Sequence, residues 1–224
     1  MVQFEVELAR VLPPDIPDRA RVIEKAGRHL RSVAAANEYM NLTRIVSPAE
    51  AAVKHVYDSI APWSHFKNSK RILDAGTGAG FPGIPLSIVL PEVRFTLSES
   101  IQKKARFVDS VIESLELPNV RITSDRAEEV AVCEHVDVII ARAVAPMVRM
   151  LDLFRKALKN GARLILYKGP DVEAEIAEGH KHRVSAEVLC RYELPDGLGT
   201  RTLVQISATR AERGAPHMPA QARR

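Results

Sequence analysis

Hydrophobic positions follow two different periods along this chain, and the change between them falls near residue 65. Before it, Val22, Ile23, Ala26, Leu30, Val33 and Ala34 recur every three or four residues and share one face of a helix. Pro13, Pro14 and Pro17 break the chain ahead of that helix. Ser47-Pro-Ala-Glu50 has the form of a capping box with proline at the first helical position, and opens a helix carrying Lys54, His55, Asp58 and Ser59 until Pro62 ends it. From Arg71 onward short apolar runs alternate with helical segments. Strands are predicted at 71–74, 94–98, 120–123, 136–141 and 162–167, with helices at 84–90, 102–116, 147–158 and 172–181. Two more strands follow at 184–193 and 202–208, joined by a turn at Pro195, Gly197 and Gly199 that makes the pair antiparallel. Such alternation predicts an α/β fold with a mainly parallel, seven-stranded sheet covered by helices on both faces. The pattern divides the chain into a helical extension (1–65), an α/β domain (66–209) and a tail (210–224).

Between the first strand and its helix, residues 71–83 read RILDAGTGAGFPG. Glycines at 76, 78 and 80 permit a sharp turn with positive φ and leave no Cβ between main chain and ligand, as a nucleotide-like cofactor requires. Two registers fit. Gly78, Gly80 and Gly83 satisfy G-x-G-x-x-G for a dinucleotide, the signature of an NAD-dependent oxidoreductase. Asp74, Gly76, Gly78 and Gly80 satisfy the D-x-G-x-G-x-G form of methyltransferases that use S-adenosylmethionine. The dinucleotide register starts four residues late and sets Pro82 and Pro85 around its third glycine, where close helix packing is wanted. The methyltransferase register needs no adjustment; it ends the strand on Asp74, whose carboxylate then lies near the loop and the cofactor's amino group.

In an open sheet of this kind ligands bind outside the carboxyl ends of the strands. Glu99 follows the second strand, where an acidic side chain accepts from ribose hydroxyls. Residues 124–129, with Arg126, Ala127 and Glu128, follow the third and can frame an adenine edge. Arg142 follows the central strand, where a charge needs a partner: a cofactor carboxylate, an RNA phosphate or a structural carboxylate such as Glu128. Lys168 ends the next strand. His55 reads more as a partly buried structural histidine than as a catalyst.

Composition narrows the classes. At 224 residues the chain supports one full domain plus an extension. No stretch reaches the roughly 18 apolar residues of a membrane span, and the N-terminus has no signal-peptide pattern, so a cytoplasmic location is expected. Cys133 and Cys190 are too few for a disulfide framework, and His180-Lys-His182 reads as a basic helix end, so no metal is expected. Of the net charge of +4, most sits in the tail 210–224, with four basic residues against one acidic, which predicts a disordered segment able to tether a polyanion or simply to be solvated.

The most specific pieces are Asn41-Leu-Thr-Arg-Ile45, Lys54-His-Val-Tyr-Asp-Ser59, the run from Asp74 to Pro85, Arg126-Ala-Glu-Glu129, Arg142-Ala-Val-Ala145 and Lys168-Gly169. On these, residues 20–208 resemble the RsmG (GidB) family of bacterial small-subunit ribosomal RNA methyltransferases. The resemblance implies a Rossmann-like methyltransferase fold behind a helical N-terminal extension, S-adenosylmethionine as donor, and transfer to N7 of one guanosine in 16S ribosomal RNA or the assembling small subunit. It places cofactor contacts on Gly76, Phe81, Ala127, Glu128 and Arg142, with Glu99 at the usual acidic position. One departure is Ala36-Asn37, where the family often has Trp-Asn. Guanine N7 carries an exposed lone pair, so no general base is expected, and the absence of a catalytic dyad fits. Arg142 is the first choice for an orienting role, with Lys168, Arg126 and His55 as further candidates facing RNA. Tyr39, Tyr57, Trp63, Phe81 and Tyr167 are the available stacking residues. A monomer is expected. An acceptor other than RNA stays open, because a shared fold does not name the acceptor.

Overall fold

A computed structural model describes residues 3–45, 47–181 and 184–208. The tail and His182, on which the His180-Lys-His182 pattern depends, lie outside the described residues. Three helical stretches come first: α1 (Gln3–Val11), α2 (Arg19–Met40) and a run made of α3 (Pro48–Ala51), a π-helical turn (Ala52–Tyr57) and α4 (Asp58–Ile60). The Ser47 hydroxyl accepts from the Glu50 amide at 3.2 Å, so the predicted cap starts that run. On α2 the buried face is Val22, Ala26, Gly27, His29, Leu30, Val33 and Ala36. Ala34 points to solvent and Ile23 is only half-buried, because a 3.6-residue period carries the stripe from Val33 to Ala36.

Seven strands follow: β1 (Arg71–Ala75), β2 (Arg94–Ser98), β3 (Val120–Thr123), β4 (Val138–Arg142), β5 (Arg163–Lys168), β6 (Val184–Glu193) and β7 (Thr200–Ala208). They form one sheet in the order β3-β2-β1-β4-β5-β7-β6. β1 to β5 run parallel, and β7 is antiparallel to both its neighbours. The intervening helices are α5 (Gly83–Val89), α6 (Gln102–Ser114), α7 (Ala127–Cys133), α8 (Met147–Lys159) and α9 (Glu173–Lys181). The apolar pattern predicts no helix over 127–133, where α7 forms. That segment carries Val130 and Ala131 as consecutive buried positions, too short a stretch to display a helical period.

The period of two sorts strand residues between two cores. Ile72, Ile140 and Ile165 face one, together with α5, α6 and the N-terminal helices; Leu73, Ile139, Leu164 and Leu166 face the other, under α7 and α8. The first core runs without interruption from Leu8, Val22 and Leu30 through Val53 and Ile60 to Phe95 and Leu97, so the extension buries its apolar face on the sheet's own helices. Strand order reverses between β1 and β4, which places the ligand crevice at the carboxyl ends of these two strands.

Candidate active site

Gly76 is the first residue beyond β1, at φ +73°, and the chain turns through Gly78 at φ +62° and Gly80 at φ +95° before α5 begins at Gly83. The turn therefore starts where the methyltransferase register puts it. Asp74 lies beneath this loop, fully buried: one oxygen, Oδ2, accepts from the Thr77 hydroxyl at 2.6 Å and from the Gly83 amide at 2.8 Å. Burial pushes its carboxyl up to about 6 against the opposing pull of those two donors. The other oxygen, Oδ1, has no partner. Asp74 is thus committed to the shape of the loop, with one acceptor in reserve.

Glu99 is buried on the other side of the turn. Its Oε2 accepts from the Gly78 amide at 3.1 Å and its Oε1 from the Ile101 amide at 2.9 Å, which ties the glycine loop to the start of α6. Each carboxylate oxygen keeps a lone pair for a further donor. Nothing stands within 4 Å of the place a Cβ on Gly78 would take, so the backbone there has an open face. That open main chain, the carboxylate beside it and the unpartnered Asp74 oxygen fit a nucleoside whose polar groups need close backbone and carboxylate partners. Val144, from the β4–α8 loop, stands over Gly76, with its Cγ2 3.1 Å from where a Cβ would lie.

Ala127 and Glu128 open α7 beside the end of β3, and Arg126 lies 3.5 Å from Glu128 Oε1 as an exposed pair. The Ser98 hydroxyl donates to the Asp125 carbonyl at 2.8 Å, which fixes this loop to the end of β2 near Glu99.

Phe81 is buried and stacked between two imidazoles, with ring centroids 4.4 Å from His29 and 4.5 Å from His55, and with the Arg142 guanidinium 5.7 Å from its own centroid. His29 carries no signal in the sequence, because a histidine on the apolar stripe of α2 gives no hint of a ring fifty-two positions further along the chain. Its Nε2 donates to the Ala79 carbonyl at 2.8 Å, and burial pushes it down to about 4. His55 bonds to the Thr43 hydroxyl at 3.0 Å and is pushed down to about 3 by burial and then by the charge of Arg142. Both rings are neutral structural groups at neutral pH.

Arg142 does not meet Glu128. Its Nη1 donates to the Lys54 carbonyl at 2.9 Å and to Asp58 Oδ2 at 3.1 Å, so the structural carboxylate comes from the N-terminal extension. The π-helical turn brings Lys54 and Asp58 to that position. Lys54, His55, Asp58, Arg142, Tyr167, Lys168 and Arg201 line a cavity of about 370 Å³ at the carboxyl ends of β4 and β5. Lys168 pairs with Glu175 at 2.7 Å. Of the five stacking candidates Phe81 and Tyr167 are buried, Tyr57 and Trp63 are half-buried, and Tyr39 alone is open, at 68% exposure with Lys103 over its ring. Among the described residues no three His, Cys, Asp or Glu side chains are placed to hold a metal, and no helix is long and apolar enough to cross a membrane.

A family model described as GidB, rRNA small subunit methyltransferase G, matches residues 22–197. The Solibacter usitatus protein named ribosomal RNA small subunit methyltransferase G is 55% identical over 207 residues, which is 91% of this chain and 99% of that protein. A protein of the same name from Sorangium cellulosum is 38% identical, covering 71% of this chain and 69% of that one. Among solved structures, an MtNAS mutant in complex with S-adenosylmethionine superposes with a TM-score of 0.57 at 12% identity, covering 92% of this chain and 88% of that chain. The O-methyltransferase TomG from Streptomyces achromogenes, in complex with SAM, gives 0.54 at 18% identity, covering 80% and 90%. At these identities the two structures bear on the fold alone, and they share it.

Proposed function

The chain belongs to the GidB family, rRNA small subunit methyltransferase G, and from that membership we propose that it moves a methyl group from S-adenosylmethionine to N7 of a guanosine in 16S ribosomal RNA of the small ribosomal subunit. The observation that carries the reading is the turn at Gly76–Gly80, whose open backbone at Gly78 is bracketed by Glu99 and which leads into Phe81, packed against His55 and Arg142 of a cation-lined cavity. We assign cofactor binding to Asp74, Gly76, Gly78, Phe81, Glu99, Ala127, Glu128 and Arg142. When bound, S-adenosylmethionine supplies an electrophilic methyl group on a sulfonium.

The residues of the chain then have to position and exclude rather than to move protons. N7 of guanine attacks through a lone pair and sheds no proton on doing so, so no base is called for: Asp58 is tied up by two arginines, burial leaves the stacked His55 and His29 rings with low proton affinity, and Asp74 lies under the loop. Holding nucleophile and electrophile in line accounts for the rate, since effective molarities for well-oriented pairs reach about 10⁵ M or more. The methylated guanine is cationic. Arg142 is held by Asp58 and the Lys54 carbonyl, whose negative charge and dipole offset the guanidinium and limit the penalty of having it near a developing positive charge. The extension (1–65) is, on this reading, a part of the catalytic domain that supplies one wall of the acceptor cavity. We further propose a monomer that acts in the cytoplasm without a metal.

The test is methyl transfer from labelled S-adenosylmethionine to unmodified small subunits, naked small-subunit RNA and total protein, followed by reductive strand cleavage at N7-methylguanosine. One new cleavage site in the RNA is expected. Label in protein only, or cofactor binding with no transfer to RNA, would overturn the assignment of the acceptor.

A further inference from the structure

Two guanidiniums in the cavity share one carboxylate. Asp58 is buried; its Oδ2 accepts from Arg142 Nη1 at 3.1 Å and from Arg201 Nε at 3.3 Å, while Oδ1 accepts from the Tyr192 hydroxyl at 2.9 Å. The two arginine side chains are 15% and 26% exposed, so the positive charge that Asp58 leaves over stands where water screens it poorly. The other cations of the wall already have partners, Lys54 in Glu50 at 2.6 Å and Lys168 in Glu175 at 2.7 Å. Arg201 also donates from Nη1 to the Thr200 carbonyl at 3.2 Å, and its Nη2 takes part in no hydrogen bond among the described residues.

We infer that this cavity holds a backbone phosphate of the RNA beside the target guanosine, with Arg201 as the cation that receives it and Asp58 as the positioning carboxylate that aims Arg201 and Arg142. The inference rests on the proposed RNA substrate. Two features select a phosphate over the alternatives. β7, which carries Arg201, lies three strands from β1, on the order of 14 Å at the usual strand spacing, which separates it from a group seated on Gly78 and argues against the cofactor's own carboxylate. The base is served less well, because guanine brings N1–H and N2–H donors along with its O6 and N7 acceptors and the one side-chain carboxylate of the wall already accepts three hydrogen bonds, whereas every free oxygen of a phosphate accepts. The cavity offers charge and donors, which suits an oxyanion.

The experiment measures kcat/KM for methylation of unmodified small subunits as a function of salt, alongside the Kd for S-adenosylmethionine and the thermal melt, in the wild type, Arg201→Gln and Arg201→Lys. Arg201→Gln is expected to lower kcat/KM roughly tenfold near 0.1 M salt and to make the log–log salt slope shallower by about one, while the cofactor Kd stays within about twofold. Arg201→Lys is expected to restore the slope. Arg201→Met, which keeps the packing of the stem without the charge, supplies the same comparison if the Gln variant melts early. An unchanged slope, or a cofactor Kd weakened as much as kcat/KM, would overturn the phosphate site while leaving the methyltransferase assignment in place. A wild type that labels no RNA under any salt removes the functional reading and this inference with it.

Discussion

Gly78 and Gly83 impose different constraints although both belong to one short motif. A Cβ on Gly83 would lie 2.1 Å from Leu97 Cδ2 and 2.7 Å from Asp74 Oδ2, inside the buried bond that holds the loop. Gly83→Ala is therefore expected to lose about 1–3 kcal/mol of stability in a denaturant titration, as overpacking does, with cofactor affinity falling as the loop shifts. A Cβ on Gly78 meets nothing, so Gly78→Ala costs only the strain of a positive φ, about 1–2 kcal/mol, but fills the open face of the turn. Calorimetry should then show S-adenosylmethionine binding weakened at least tenfold in a protein that remains folded; binding equal to the wild type would show that this face is not the cofactor contact. Asp58 makes the reverse case, a residue whose removal is a stability event. Asp58→Ala strips the shared carboxylate from two arginines and a tyrosine hydroxyl, and the expected cost is about 3–5 kcal/mol, read as a fall in the denaturation midpoint. The sequence marks Asp58 by its place one turn after Lys54 and within the segment Lys54–Ser59, and neither names its partners. Its partners Arg142, Tyr192 and Arg201 lie 84 to 143 positions away, and no local spacing records such a pairing.

At the scale of elements, the glycine loop is clamped by the His29–Phe81–His55 stack, which draws one ring each from α2, the β1–α5 loop and the π-helical turn. The cost of the clamp is a dependence on pH. Both histidines titrate below their ordinary 6.5 when folded, near 4 and 3, so the unfolded chain takes up two protons that the native chain refuses as pH falls below 6.5. Asp74 works the other way: its folded carboxyl near 6, against an ordinary 3.8, takes a proton in the native state first. Between about pH 6 and pH 4 these three groups leave the unfolded state one proton ahead, and they make stability fall by about 1.4 kcal/mol per pH unit on acidification. Replacing His29 with Gln, whose amide can still donate to Ala79, should reduce the slope measured in urea titrations across the window by about 1.4 kcal/mol per pH unit. A slope unchanged by the substitution would mean that His29 is not held neutral by the stack. The regular elements were legible because burial repeats within each of them: the strands from 71 to 98 and the stripe on α2 can be read from their apolar positions. The π-helical turn was not, since its residues are apolar or charged in the same order an α-helix would use, and α7 was hidden because its few apolar residues are adjacent in sequence.

The whole molecule is polarised by its parallel sheet. The proposed contacts lie at the carboxyl ends of β1, β2, β3, β4 and β5, joined there by Arg201 from the start of the antiparallel β7, and three of the exposed large apolar side chains lie at that end too: Tyr39 at the end of α2, Ile101 just after Glu99 and Val144 over Gly76. The motif Asp74–Gly80 marks the glycine turn from sequence alone, but this rim was not legible, because it exists only once strand order brings the loops after β1, β2 and β4 to one edge of the fold. The opposite end of the sheet also carries positive charge. Arg71, Arg94 and Arg121 line a cavity of about 430 Å³ around Glu134, with Arg71 donating to the Glu134 carbonyl at 2.8 Å and Arg121 paired to its carboxylate. If a guanosine is splayed out at the carboxyl end, a neighbouring base can rest on Tyr39, whose ring is open and backed by Lys103. Base–aromatic stacking is worth about 1–3 kcal/mol. Tyr39→Ala is accordingly expected to lower kcat/KM for small subunits by roughly fivefold to a hundredfold with no change in cofactor Kd, and Tyr39→Phe to restore it because stacking needs the ring and not the hydroxyl. Arg94→Gln removes a full charge from the far end and is expected to leave kcat/KM within about twofold. Comparing the two variants at matched salt decides whether RNA engages one end of the molecule: equal losses would mean that the substrate reaches around to the amino ends of the strands, and that local charge at the methyl-transfer end is only part of its grip.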